Sequence, residues 1–211
     1  MRRASATLTS VPAFATFVLS QLPPAPVRVL EIGCGDAGGV VRDLVDAGYD
    51  TIGVDPRAPE GERFRRADFR DVDAEFDAVV AGRVLHHVHP LDEALDHVAR
   101  LAPQLIVDEF AWDRIDAVAK DWYESQHRML VAAGAEPPGP SSIDEWGGRH
   151  ADLHPHGVLL DGLRRRYRER TIEWLPYLYH WLDGPSSEEL ERALVDSGVF
   201  PTIGWRWAGI R

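Results

Sequence analysis

Three glycines and two carboxylates carry the first chemical information in this chain. Gly33, Gly35 and Gly38 lie in the run Val29 to Asp55, VLEIGCGDAGGVVRDLVDAGYDTIGVD, where an apolar strand meets a glycine turn, an amphipathic helix and a second strand ending on an acid. Residues without a Cβ let the backbone approach a ligand closely, and the helix start behind them offers free N–H groups. Asp55, with Pro56 after it, stands where a carboxylate accepts both hydroxyls of a ribose. Glu31 comes two residues before the first glycine. A buried carboxylate there repels a pyrophosphate and suits a ligand bearing an ammonium and a sulfonium. The residues therefore favour S-adenosylmethionine over NAD.

The elements that must hold these residues form a βαβ unit, and the rest of the first half continues its rhythm. FDAVVAG, residues 76–82, reads as an apolar fourth strand, and LAPQLIVDE, residues 101–109, as a fifth. Strands alternating with helical patterns fold into a parallel sheet with helices on both faces, and ligands bind at its carboxyl edge. From Phe110 the rhythm breaks. Ile115, Val118, Ala119, Trp122, Met129 and Leu130 recur at nearly helical spacing until a Pro/Gly stretch at 136–140. After a basic run around Leu163 to Arg168, TIEWLPYLYHW reads as a strand, with Pro176 marking an edge or a bend. Ser186 to Glu189 starts a helix that Gly198 stops, and Thr202 to Ile210 alternates like a last strand.

The segment Glu31-Ile32-Gly33-Cys34-Gly35, with Arg66-Ala67-Asp68-Phe69 and Arg83-Val84-Leu85-His86-His87-Val88 in order behind it, resembles the class I S-adenosylmethionine-dependent methyltransferases of small-molecule type. Many members carry a glycine where this chain has Ala37; here it is displaced to Gly38 and Gly39. The resemblance implies an α/β, Rossmann-like sheet of seven mostly parallel strands with helices on both faces. An antiparallel last strand would insert beside the fifth. One domain would span 1–211, with a helical substrate-capping insertion over 110–170. It further implies Glu31 near the methionine end of S-adenosylmethionine, and Gly33, Cys34 and Gly35 under the cofactor. Asp55 and Pro56 would lie at the ribose, Asp68 and Phe69 at the adenine, and Gly82 and Arg83 would bind the cofactor from the end of the fourth strand. An N-terminal helix from about Val11 to Gln21 would cross the cofactor mouth.

Methyl transfer needs a positioned nucleophile and, for a hydroxyl, a base. His87 is the leading candidate, with His86 beside it and Glu109 able to orient a histidine or bind an amine. Packing and turn capping are the plain alternatives for His86 and His87, and helix capping for Asp108 and Glu109. His127 reads as a packing residue. His150, His154 and His156 have a spacing that metal sites use, but the expected chemistry requires no metal.

The formal net charge of −11 on 211 residues opposes wrapping a phosphate backbone, so nucleic acid is not the expected acceptor. The lone Cys34 excludes an internal disulfide and a cysteine-based zinc site. No run spans a membrane, and a cytoplasmic enzyme acting on an oxygen or nitrogen of a small molecule is the resulting expectation. An NAD-linked oxidoreductase and a non-catalytic S-adenosylmethionine-binding protein are the alternatives.

Overall fold

The structure is a computed structural model that describes residues 13–150 and 152–211. Seven strands form one sheet: β1 (Arg28–Ile32), β2 (Asp50–Val54), β3 (Phe64–Arg65), β4 (Ala78–Gly82), β5 (Gln104–Phe110), β6 (Arg168–Leu175) and β7 (Gly204–Ile210). Their order is β3-β2-β1-β4-β5-β7-β6. β7 runs antiparallel to both β5 and β6, and the remaining pairings are parallel. The expected sheet, with its antiparallel last strand beside the fifth, is present. β6 lies at the edge, and Pro176 follows its last residue, where the missing N–H costs no ladder bond.

β1 and β4 are buried almost throughout because helices cover them on both sides. On one face Leu30, Val79, Leu105 and Trp207 pack with residues of α3 (Leu91–Leu101) and α6 (His156–Arg166). On the other, Val29, Val80, Ile106 and Ala208 pack under α1 (Ala13–Gln21) and α2 (Val41–Asp46). The first two residues expected in α1, Val11 and Pro12, lie outside the described residues. The helix after the glycine turn starts only at Val41, because Gly38 and Gly39 both take positive φ, +84° and +54°, which a right-handed helix cannot absorb.

α3 and α6 touch closely: a Cβ on Gly162 would come 2.8 Å from Leu95 Cδ1. Asp92 and Asp96 on α3 pair with Arg165 and Arg166 of α6. These carboxylates are exposed, so apolar packing holds the two helices more than charge does. A third apolar cluster joins α4 (Ala117–Ala132) and α5 (Ile143–Arg149) to Phe110, Tyr177, Leu178 and Phe200. Within it the rings of Phe110 and Tyr177 stack at 4.5 Å and 7°.

α7 (Pro185–Asp196) secures that cluster through one buried acid. Glu191, fully buried, accepts the backbone N–H of Tyr177 at 2.7 Å, Leu178 at 3.0 Å and Tyr179 at 2.7 Å. Without that carboxylate the buried donors have no acceptor. Glu191→Ala is expected to cost about 2–4 kcal/mol of unfolding free energy, checked by denaturant titration, whereas Glu188→Ala on the same helix should stay within about 0.5 kcal/mol.

Candidate functional site

The carboxyl ends of β1, β2 and β4 open on a cavity of about 270 Å³ whose lining includes Gly33, Asp55, Pro56, Asp68, Phe69 and His87. Its floor is set by the glycine turn. Gly33 donates to Val54 O at 2.8 Å and has φ +72°, and a Cβ there would lie 2.6 Å from Val84. Only glycine fits both the conformation and the space.

Glu31 stands behind this turn. It is 2% exposed, and its two carboxylate oxygens accept the Val40 N–H at 3.1 and 2.9 Å. A side chain on Gly39 would overlap this carboxylate, so the displaced glycines are what make room for it. Burial pushes Glu31 up to about 8 against the pull of those backbone donors. Cys34 is also buried; desolvation, then the charges of Glu31 and Asp55, push its thiol up to about 12. It is a neutral packing group, not a nucleophile.

At the end of β2 Asp55 accepts the Arg57 N–H at 2.7 Å and lines the cavity. Asp68 caps the turn 69–71, accepting Arg70 N at 2.9 Å, and grips the Arg70 guanidinium with both oxygens at 3.0 and 2.7 Å. That grip holds Asp68 below the usual carboxylate range. Arg70 also lines the cavity and donates to His89 O at 3.1 Å. Sequence reasoning did not single it out; the Asp-x-Arg spacing at a turn was the available signal. Phe69 is mostly buried beneath it. Gly82 ends β4, and a Cβ there would come 3.1 Å from Phe14 of α1, so α1 crosses this edge of the sheet.

His86 and His87 diverge. His86 is 4% exposed, and its Nδ1 lies 2.6 Å from Glu109 Oε2, while Glu109 Oε1 accepts the N–H groups of Leu85 at 2.7 Å and His86 at 3.3 Å. The carboxylate thus selects the tautomer with the proton on Nδ1 and leaves Nε2 as the basic nitrogen. His87 sits on the cavity rim, its ring 4.1 Å from that of His86, with no carboxylate bonded to it. Partial burial and then the neighbouring His86 hold its pKa below the ordinary histidine value. Arg83 turns away from the cavity toward Asp108, 3.8 Å distant.

The remaining histidines do not converge. His154 donates its backbone N–H to His86 O at 3.0 Å and its Nε2 meets Val88 O at 2.9 Å. His156 pairs with Asp113, His150 bonds Trp146 O, and His127 is buried against Tyr123. Among the described residues no group of three or more His, Cys, Asp or Glu side chains is placed to hold a metal ion. Of these histidines, His154 fastens the second half of the chain onto the 85–89 turn.

Residues 9–175 match the model of a family described as a methyltransferase domain. The chain is 43% identical over 130 residues to the 2-ketoarginine methyltransferase of Streptomyces arginensis, covering 58% of this chain and 36% of that protein. It thus spans about a third of that relative's length. In structure it is similar to an S-adenosylmethionine-dependent methyltransferase from Mesorhizobium loti, with TM-score 0.57, 18% identity and coverage of 93% and 96% of the two chains. It is likewise similar to the geranyl diphosphate C-methyltransferase of Streptomyces coelicolor A3(2), with TM-score 0.62, 15% identity and coverage of 93% and 78%.

The buried Glu31 gives the cradle a pH signature. Its folded pKa of about 8 exceeds the value of 4.5 for a free glutamate. The folded state therefore keeps a proton that the unfolded chain releases, and this contribution, full below about pH 4.5, is lost as pH rises toward 8. Thermal unfolding without ligand should show stability falling across that window, and Glu31→Gln should flatten the fall.

Proposed function

The chain belongs to the methyltransferase domain family, of the class I S-adenosylmethionine-dependent kind, and from that premise we propose that it methylates a small molecule held beside β4 and β5. The family removes the NAD-linked alternative. The observation that carries the reading is the His86–Glu109 pair, Nδ1 to Oε2 2.6 Å, behind His87, which lines the cavity of about 270 Å³. A buried acid that holds the tautomer of a histidine prepares it for proton transfer as well as fixing the turn.

S-adenosylmethionine, when bound, supplies a methyl group already activated on a sulfonium. In this reading Gly33 and Gly35 lie beneath it, Asp55 and Pro56 meet the ribose, and Asp68 and Phe69 meet the adenine. Glu31, Cys34 and Gly82 shape the methionine end, Glu31 by holding the turn. His86 Nε2 takes the proton of the acceptor, and Glu109 steadies the imidazolium that forms. His87, the first choice from sequence, becomes a wall residue, because only His86 has an orienting acid. Arg83 serves the acceptor side.

The acceptor atom is an oxygen or nitrogen, or an acidic carbon beside a carbonyl; a C-methyltransferase stands among the fold's neighbours, and the relative from Streptomyces arginensis is named for a 2-oxo acid. α4 and α5, with their aromatic cluster, cap the acceptor. The net charge of −11 supports a small acceptor over a nucleic acid, and the lone buried Cys34 a cytoplasmic setting. No helix among the described residues is long and apolar enough to cross a membrane.

Incubation with S-adenosylmethionine and a metabolite extract should yield a product one CH₂ heavier by mass spectrometry, and titration calorimetry should register S-adenosylhomocysteine. Binding without any product would leave a binding protein instead. With the product in hand, His86→Gln should lower kcat by about 10²–10⁴-fold with S-adenosylhomocysteine affinity retained, and His87→Gln should lower it far less.

A further inference from the structure

Strand alternation puts Asp108 and Glu109 on opposite faces of β5, and Asp108 has a polar cluster of its own. Its cross-strand neighbour on β7 is Arg206, whose Nε lies 3.0 Å from Asp108 Oδ1. Arg206 passes over the Phe17 ring of α1 at 5.9 Å, and its side chain is 12% exposed. Arg83 approaches the other oxygen of Asp108, Nε to Oδ2 3.8 Å, and lies against the Tyr177 phenol. Two guanidiniums thus share one buried carboxylate, with Glu109 a second acid within electrostatic reach of Arg83. Arg206 is enclosed, whereas the Arg83 side chain is 50% exposed and stands 3.8 Å from its carboxylate, so Arg83 keeps donors free to meet a ligand.

The backbone reinforces that presentation. Arg83 is the one non-glycine with positive φ among the described residues, at +54°. Holding it there costs on the order of 1–3 kcal/mol and is seen mostly where a side chain must be aimed. The turn sends Arg83 to the β5/β7 side, while its neighbour Val84 lines the nucleotide cavity. His180 completes the surroundings. Although it reaches the surface, partial desolvation, then Arg83 and Arg206, push it down to about 4, so near neutral pH it adds no charge and can donate a hydrogen bond.

We propose that Arg83, with Tyr177 and His180 beside it, binds a carboxylate of the methyl acceptor, which makes the acceptor class a small organic acid. The inference rests on the methyltransferase reading above. A planar guanidinium matches a carboxylate edge to edge, and acids already standing behind Arg83 leave little charge for a diphosphate. The methionyl carboxylate of the cofactor is the other source of the same chemistry. Tyr177, which follows β6, and Arg206, on β7, place the cluster away from the glycine turn and favour the acceptor.

The test uses the full chain with methyl-labelled S-adenosylmethionine in a metabolite extract, comparing wild type, Arg83→Gln and Arg83→Lys. The labelled products should react with a carboxyl-coupling amine. Arg83→Gln should raise the KM for the principal product's precursor about tenfold or more, Arg83→Lys should recover part of it, and S-adenosylhomocysteine affinity by calorimetry should stay at the wild-type value in both. Products without a carboxylate, an unchanged KM in Arg83→Gln, or a loss of S-adenosylhomocysteine affinity in that variant would each overturn the proposal. The last result would assign Arg83 to the cofactor. Failure of the methyltransferase reading looks different, since wild type itself would then give no labelled product.

Discussion

The bond between Glu109 and the 85–86 turn is the interaction on which the rest of this molecule hangs. One carboxylate at the end of β5 takes two backbone N–H groups and the Nδ1 of His86. It ties the β4 exit to β5, fixes the orientation of an imidazole, and builds the turn to which His154 and the following helix attach. The turn lies where β4 ends, at the edge of the sheet that α/β folds reserve for ligands. The fold and the proposed chemistry therefore draw on the same buried acid.

The device recurs. Glu31 holds the start of α2, Glu109 the turn after β4, and Glu191 the residues after β6, each a buried carboxylate receiving backbone donors that no helix or strand satisfies. A carboxylate accepts several such bonds at once, which loops with unpaired N–H groups require. Burying it still opposes ionisation, and both Glu31 and Glu191 are raised by desolvation. These acids thus trade solvation for loop geometry, and all three loops lie at or beside the ligand edge.

Charge is distributed unevenly about that edge. The chain as a whole is acidic, yet Arg70, Arg83 and Arg206 stand at or near the ligand end of the sheet. Arg70 is neutralised by Asp68, and Arg206 by Asp108. Arg83 alone of the three stands as far as 3.8 Å from its carboxylate, with half of its side chain in solvent. Net charge speaks to partners of large extent; a single arginine at the end of a strand speaks to one functional group on a small one.

The strand–glycine–helix order and the later motifs were legible because period-2 and period-3.6 patterns and the φ > 0 requirement at Gly33 and Gly35 are local properties of the chain. The parallel sheet with helices on both faces followed from the crossover rule, and the antiparallel last strand beside the fifth from the family resemblance. The shortened α2 was partly legible in the paired glycines 38 and 39, though their reason, room for the Glu31 carboxylate, was not. What only the tertiary structure decided was which titratable groups meet. His86 and His87 are adjacent in sequence and chemically equal there, but strand alternation and packing deliver Glu109 to one of them, 23 residues away, and leave the other on the rim. Arg83, Asp108 and Arg206 meet only because β7 inserts antiparallel beside β5 in one register. Local pattern determines elements, since it depends on near neighbours along the chain; partnership between distant side chains depends on register and handedness, and these exist only once the sheet has formed.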